Sequence, residues 1–342
     1  LPLALVAPLG AHNDDGGHAH SLYQAVIRAY CSVSLMRLIH CACATNLTVP
    51  DAQHHQLPAV PTRKDLRFLD AAAKECLPED PTPSLAEIQA SPNVAHLGQP
   101  APAPQQPDER LRIVVSGTDK ALAAVLTRMM RGDYLWTEIA YLPVDPSSPA
   151  AVAWGLSGLN RDSLITLATS GPVVPSPCVR TDTGEVVAGA AAIYHDDGAS
   201  EYVGEIVVDS ERLLYRSGSE PSARFHGQFG ARLVPTPGTP GIASSALTTP
   251  LVPTGPVSRR SPAQLERLHR LPLLRGLTRN AGVAPGQTDS SRVLTGRALQ
   301  SGGDAITVEL DGVVRPRTVE RVTFYRHLRD IQSVKMGANS GM

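Results

Sequence analysis

Along residues 1–60 the apolar and polar positions follow neither a helical nor a strand period, so this segment is expected to be weakly ordered. Periodicity starts at Thr62. From there to Cys76, Leu66, Phe68, Leu69 and Ala72 fall on one side of a helix that Thr62 can cap. A shorter helix is expected over 83–90, with Leu85 and Ile88 sharing a face. Residues 61–91 thus form a helical segment, and the Pro-, Gln- and Ala-rich stretch 92–109 a linker. A continuous apolar run at 111–116 reads as a buried strand. An amphipathic helix over 118–131, a strand at 137–142 and helices near 148–155 and 161–169 follow. Leu122, Val125, Leu126, Met129 and Met130 recur at helical spacing and belong to a core. Residues 110–171 therefore make a small Rossmann-like α/β lobe.

After Pro172 the pattern turns to strands. Two runs, 173–180 and 186–195, flank the turn Asp182-Thr183-Gly184-Glu185, and 202–208 and 213–216 are joined across Asp209-Ser210. Further strands are expected near 231–235, 242–249, 293–300, 305–310 and 318–325. So many strands without intervening helices predict an antiparallel β-sandwich over 172–335, with an insertion at 256–290. No internal repeat is present.

Composition narrows the function. Lys+Arg of 31 against Asp+Glu of 32 leaves no field to draw the chain onto nucleic acid, and 4% aromatic residues supply few stacking platforms. Hydrophobic content of 42% and a mean hydropathy of −0.08 fit a soluble globular protein, expected in the cytoplasm. Cys31, Cys41, Cys43, Cys76 and Cys178 are odd in number and lack a CxxC pair, which fits a reducing compartment. Cys41 and Cys43 with His40 have metal-ligand chemistry, but ordinary thiols in a weakly ordered tail are the simpler reading. The His-rich run from His12 to His20 is treated likewise, as a Gly-rich tail. The apolar stretch 1–11 has no basic flank, so a signal peptide is not expected, and 22–49 is interrupted by Arg28, Arg37 and His40. No His-Glu-x-x-His or Gly-x-Ser-x-Gly motif occurs, and Asp196-Asp197-Gly198 reads as a turn.

The chemistry-bearing stretch is 111–126: a strand, a sharp turn at Gly117, then a helix start, which aims backbone N–H groups at a phosphate. It resembles the Gly-Gly-Asp-Gly-Thr loop of the diacylglycerol and sphingosine lipid kinases, which NAD kinases share. Gly117 and Asp119 are kept, while Thr118 and Lys120 stand where the family has glycine. A second segment, Leu142-Pro143-Val144-Asp145-Pro146-Ser147-Ser148-Pro149-Ala150-Ala151 through Gly155-Leu156, resembles the family's Leu-Pro-x-Gly-Thr-x-Asn-Asp segment without its Gly-Thr and Asn-Asp pairs. A third, Ile306 to Val313, resembles the Asp-Gly-Glu strand end, with Asp311 and Gly312 kept and Val313 at the acidic position. The likeness covers roughly 111–335, and no counterpart of the family's opening strand is expected upstream of Leu111.

What the resemblance implies is a degenerate member of this family. ATP and Mg²⁺ would be its cofactors, with Gly117, Thr118, Asp119 and Lys120 around the nucleotide and Asp311 nearest the acceptor. Phosphoryl transfer is largely positioning and charge neutralisation, so Thr118 and Lys120 crowd the approach of phosphate and Val313 cannot carry a proton. Binding of an anion, nucleotide or lipid head group with little or no transfer is the leading expectation. An active lipid kinase using Lys120 and Asp119 is the alternative. Lys120 opposes its helix dipole, so it either meets a bound anion or is a solvated surface lysine. A third reading comes from 258–280, where Arg259, Arg260, Arg267, Arg270, Arg275 and Arg279 face one acid, Glu266. Such a basic, partly amphipathic insertion suits an anionic lipid surface, or else is a solvated loop.

Overall fold

A computed structural model describes residues 35–91, 98–252 and 255–336. Two adjoining strands come first, β1 (Leu35–Cys43) and the parallel β2 (Gln53–Leu57). This corrects two expectations: residues 35–57 are not weakly ordered, and a strand does stand upstream of Leu111, beside the strand that contains it. The reason is burial on both faces. β1 lies inside the sheet, so Cys41 and Cys43 pack on one side and His40 on the other, and no amphipathic alternation marks it. For the same reason Cys41 and Cys43 cannot share a metal with His40. His12–His20 and Cys31 lie outside the described residues.

Helix α1 (Arg67–Cys76) starts five residues later than Thr62, because Asp65 takes both the N–H and the hydroxyl of Thr62 in a separate turn. Helix α2 (Leu85–Ala90) opens with a reciprocal Ser84–Glu87 capping box. Then come β3 (Glu109–Gly117), α3 (Asp119–Arg131), β4 (Glu138–Pro143), α4 (Pro149–Ala153) and α5 (Arg161–Ser170), each helix capped by a side chain from Thr118, Ser148 or Asn160. On one face of the sheet Ile39, Ile113 and Val115 pack with Leu69, Leu122, Val125 and Leu126. On the other, Val114 and Leu142 meet Ala168 of α5. The α/β lobe is thus layered as its alternation dictates.

The expected strand 173–180 breaks at Pro177-Cys178 into β5 (Val173–Ser176) and β6 (Val179–Thr181). The run 186–195 likewise breaks into β7 (Val186–Val187) and β8 (Ala191–His195). Gly189 lies between them, where a Cβ would sit 2.7 Å from Asp119 Oδ2 and 2.6 Å from Ala150 N. Strands β9 (Gly204–Val208), β10 (Glu211–Arg216), β11 (Gly230–Pro235) and β12 (Ile242–Leu247) follow. Helix α6 (Pro262–Arg270) and a short 3-10 turn, Arg275–Thr278, occupy the insertion. The chain closes with β13 (Thr288–Gly296), β14 (Ala298–Leu310), β15 (Val313–Val314), β16 (Val319–Arg326) and β17 (Ile331–Val334).

Strand β14 turns one sheet into two layers. Its first half pairs with β9 and its second with β8, along one edge, with a register shift between Gly302 and Ile306. The β9–β10 hairpin thereby faces β8, β11 and β12, and Ile206, Val208 and Leu214 share a core with Ile193, Leu233 and Ile242. This is the expected α/β lobe followed by a β-sandwich. The ends of the sandwich segment differ from expectation, since β5 and β17 join the first sheet in the order β2-β1-β3-β4-β17-β5. Strands of four residues carry no mark of which sheet they enter; partner choice is tertiary.

Candidate functional site: the cleft between the two sheets

The turn leaving β3 and the turn entering α4 come together on Asp119. Its carboxylate accepts from Tyr141 Oη at 2.9 Å, Ser148 Oγ at 2.7 Å and Ala150 N at 2.9 Å, so it caps α4 and ties two loops. Beneath it Gly117 is buried. A Cβ there would stand 2.9 Å from Cys43 Cβ and 3.0 Å from Ala121 Cβ, so the glycine serves close packing of strands and helix. Thr118 lies at the surface, its hydroxyl capping α3 through Ala121 N.

Across the gap, Asp311 and Gly312 form the two-residue turn between β14 and β15, both at positive φ (51° and 79°), the pair of conformations a tight hairpin requires. The Asp311 carboxylate accepts from the N–H groups of Ala188, Gly189 and Ala190 at 3.1, 2.7 and 3.2 Å. Burial pushes its carboxyl up to about 7, against the pull of those N–H groups and of Lys120. Val313, the residue after the turn, is exposed.

Between these pieces opens a cleft of about 410 Å³. Thr118, Asp119 and Asp311 line it together, and the second motif segment contributes Asp145, Ser147 and Ser148. Its floor is Ala190, Ala191 and Ala192. Register places Arg232 and Glu309 on either side of Ala192, one on each neighbouring strand. The alanine leaves a notch between an arginine and a glutamate whose backbones lie about 10 Å apart, two strand spacings. Asp145 accepts from the N–H and hydroxyl of Ser147, which holds its carboxyl below the usual range. Carboxyl groups thus outnumber the single lining cation, Arg232.

Lys120 is elsewhere. It pairs with Glu185 at 3.9 Å and lines a separate groove of about 360 Å³ with Arg63, Arg128 and Arg131. The sequence reading put Lys120 with the loop and missed Arg232 and Glu309. Alternation in β11 does set Arg232 opposite the core residues Ala231 and Leu233, but no local pattern tells that its face overlooks a cleft. Asp196 and Asp197 sit close to His195, with Asp197 accepting from Ala199 N, Ser200 N and Ser200 Oγ, a turn as expected.

Behind the loop, His40 Nε2 meets Ser116 Oγ at 2.9 Å and His40 Nδ1 meets His54 Nδ1 at 3.1 Å. Burial and the neighbouring His54 lower His40 to about 4. His40 is therefore neutral in the folded chain and takes a proton near 6.5 when unfolded, so stability present at pH 7 is lost as pH falls from 6.5 through 4. Between pH 7 and pH 4, urea unfolding of His40→Gln should lose about 2–3 kcal/mol less than the unsubstituted chain, whose remaining loss includes that of His327, which burial also lowers to about 4. An unchanged pH slope in that variant would contradict this assignment.

The class so defined is a two-lobed protein, an α/β lobe joined to a β-sandwich with a polar cleft between their sheets. Among solved structures the chain is similar in fold to a diacylglycerol kinase from Bacillus anthracis str. Sterne, at 10% identity and a TM-score of 0.43 over 88% of this chain and 97% of that one. It is also similar to an NAD kinase from Archaeoglobus fulgidus solved with ATP (10% identity, TM-score 0.36, 66% and 83% covered). Yeast NADH kinase solved with NADH is a third (10% identity, TM-score 0.37, 90% and 85% covered). The sequence matches no protein-family model and no curated protein. Among the described residues, no helix is long and apolar enough to cross a membrane.

Proposed function

We propose that the cleft binds a polar head group bearing both an anionic and a hydroxyl or amino end, with little or no phosphoryl transfer. The observation that carries this reading is the row Arg232–Ala192–Glu309, which offers opposite charges across a floor of small residues. The anionic end of the ligand meets Arg232; the hydrogen-bond-donating end meets Glu309 and Asp145. The sign of the remaining charge disfavours a free phosphate, because Asp145 and Glu309 repel it and Arg232 is the one cation lining the cleft. Transfer is disfavoured by occupancy: the carboxylates of Asp119 and Asp311, which the motif resemblance would put to work on nucleotide and acceptor, each already accept three hydrogen bonds from the protein itself. If Mg²⁺–ATP does enter, Asp145 and Glu309 are the lining carboxylates with capacity left to face the metal.

Thermal unfolding with glycerophosphoethanolamine, inorganic phosphate and Mg²⁺–ATP tests the reading. The zwitterionic head group should raise the melting temperature, phosphate should not, and Arg232→Gln should abolish the rise. A flat response to the head group would reject it. Transfer of labelled γ-phosphate to diacylglycerol or a sphingoid base would reject the non-transferring half, and Asp119→Asn would then be the variant to assay.

A further inference from the structure

The insertion between β12 and β13 is built as a rigid knuckle. Helix α6 begins with Pro262 inside a Ser261–Gln264 capping box. Its inner face is fixed twice: Leu265 packs with Phe225 and Val283, and the Glu266 carboxylate accepts from the N–H groups of Arg224, Phe225 and His226. The far end is fixed by Thr278, which is buried, meets His269 Nδ1 at 2.9 Å and donates to Arg275 O at 3.0 Å. Between these anchors the chain turns outward, and Leu271, Leu273 and Leu277 face solvent. Leu273 is 97% exposed, Leu277 70% and Leu271 51%.

Soluble domains rarely hold a cluster of leucines out on an ordered support, and the charge around these is one-sided. Arg259, Arg260, Arg267, Arg270, Arg275 and Arg279 are all exposed. The insertion's one acid, Glu266, is turned inward onto backbone N–H groups and reaches Arg270 only at 3.3 Å. Among the described residues no ion pair joins Arg259, Arg260, Arg267, Arg275 or Arg279 to a carboxylate. Apolar side chains at the tip with unneutralised cations around them match a bilayer whose surface is anionic and whose interior begins a few ångström below it.

We propose that the 261–279 knuckle docks the protein on anionic lipid bilayers, with Leu271, Leu273 and Leu277 entering the head-group region and the arginines meeting lipid phosphates. The rigid anchors matter because the ordering cost of the loop is met on folding and not again on binding. The docking is independent of what the cleft binds.

Co-sedimentation of the full chain with vesicles tests it. Pelleting should be strong with phosphatidylserine–phosphatidylcholine vesicles at low salt, fall steeply at 0.5 M salt, and be absent with phosphatidylcholine alone. Each cation near the surface adds about 1 kcal/mol, roughly fivefold in partitioning, so Arg267→Gln with Arg270→Gln should weaken binding about tenfold or more. Leu273→Ser should weaken it too, and without altering the salt slope, which separates insertion from charge. All three positions are exposed, and an unchanged melting curve confirms the fold. No pelleting at low salt, or pelleting that both variants leave intact, overturns the proposal. So would a concentration-dependent dimer in ultracentrifugation that Leu273→Ser abolishes, since the leucines would then belong to a contact between two copies.

Discussion

Asp119→Ala should cost the fold about 2–4 kcal/mol, measured by urea unfolding in the absence of any ligand. The loss comes from what the carboxylate leaves behind. Ala150 N–H at the start of α4 and the Ser148 hydroxyl lose their acceptor inside a buried junction, and Tyr141 keeps only the Gly117 carbonyl at 3.1 Å. Asp119→Asn should lie between, because its Oδ1 still accepts while its amide hydrogens face donors. A residue kept chiefly to handle a nucleotide would leave unliganded stability unchanged on substitution, and that result would remove the structural role assigned here.

Arg112→Ala should be at least as damaging, by about 3–5 kcal/mol. Arg112 is 1% exposed in the middle of β3. Its guanidinium fans out to Glu138 Oε2 at 2.7 Å, Ala168 O at 3.2 Å and Gly171 O at 3.0 Å, so one side chain holds β3, β4 and the end of α5. A cation at a helix C-terminus is favourable in itself, although burial pulls this guanidinium below its ordinary range. Alanine removes a donor from the buried Ala168 carbonyl and the half-buried Gly171 carbonyl and leaves a void the size of the lost side chain. Arg112→Lys should recover only part, since a single ammonium does not reach three divergent acceptors with the geometry of the planar fork. A loss under 1 kcal/mol for Arg112→Ala would show that the neighbouring Arg110, which also binds Glu138, suffices.

The apolar run at 111–116 specifies a buried strand, and the helical spacing of Leu122, Val125, Leu126 and Met129 specifies a helix and its buried face, because each is a property of one segment against an apolar surface. The hairpins at Asp182–Glu185 and Asp209-Ser210 were equally legible, since turn chemistry is local. Arg112 was not legible as a buried hub: an arginine in a strand looks solvated until its acceptors arrive from residues 138, 168 and 171. β1 escaped for a related reason, since a strand covered on both sides shows no alternation to read.

At the site, sequence brought out the turn after β3, Asp119 and the Asp311-Gly312 turn, and the fold does gather Thr118, Asp119 and Asp311 at one cleft. It did not separate Lys120 from them, because side chains one residue apart at a helix start point in directions that only the packing of Glu185 resolves. By itself, the order of apolar and polar residues determined an α/β lobe, then strands, then an arginine-rich insertion. Tertiary structure alone decided that β17 returns to the first sheet, that Arg232 and Glu309 face each other across Ala192, and that Leu271, Leu273 and Leu277 of the insertion stand in solvent. Those outcomes depend on register and on contacts between distant segments, and neither is encoded in the period of any single stretch.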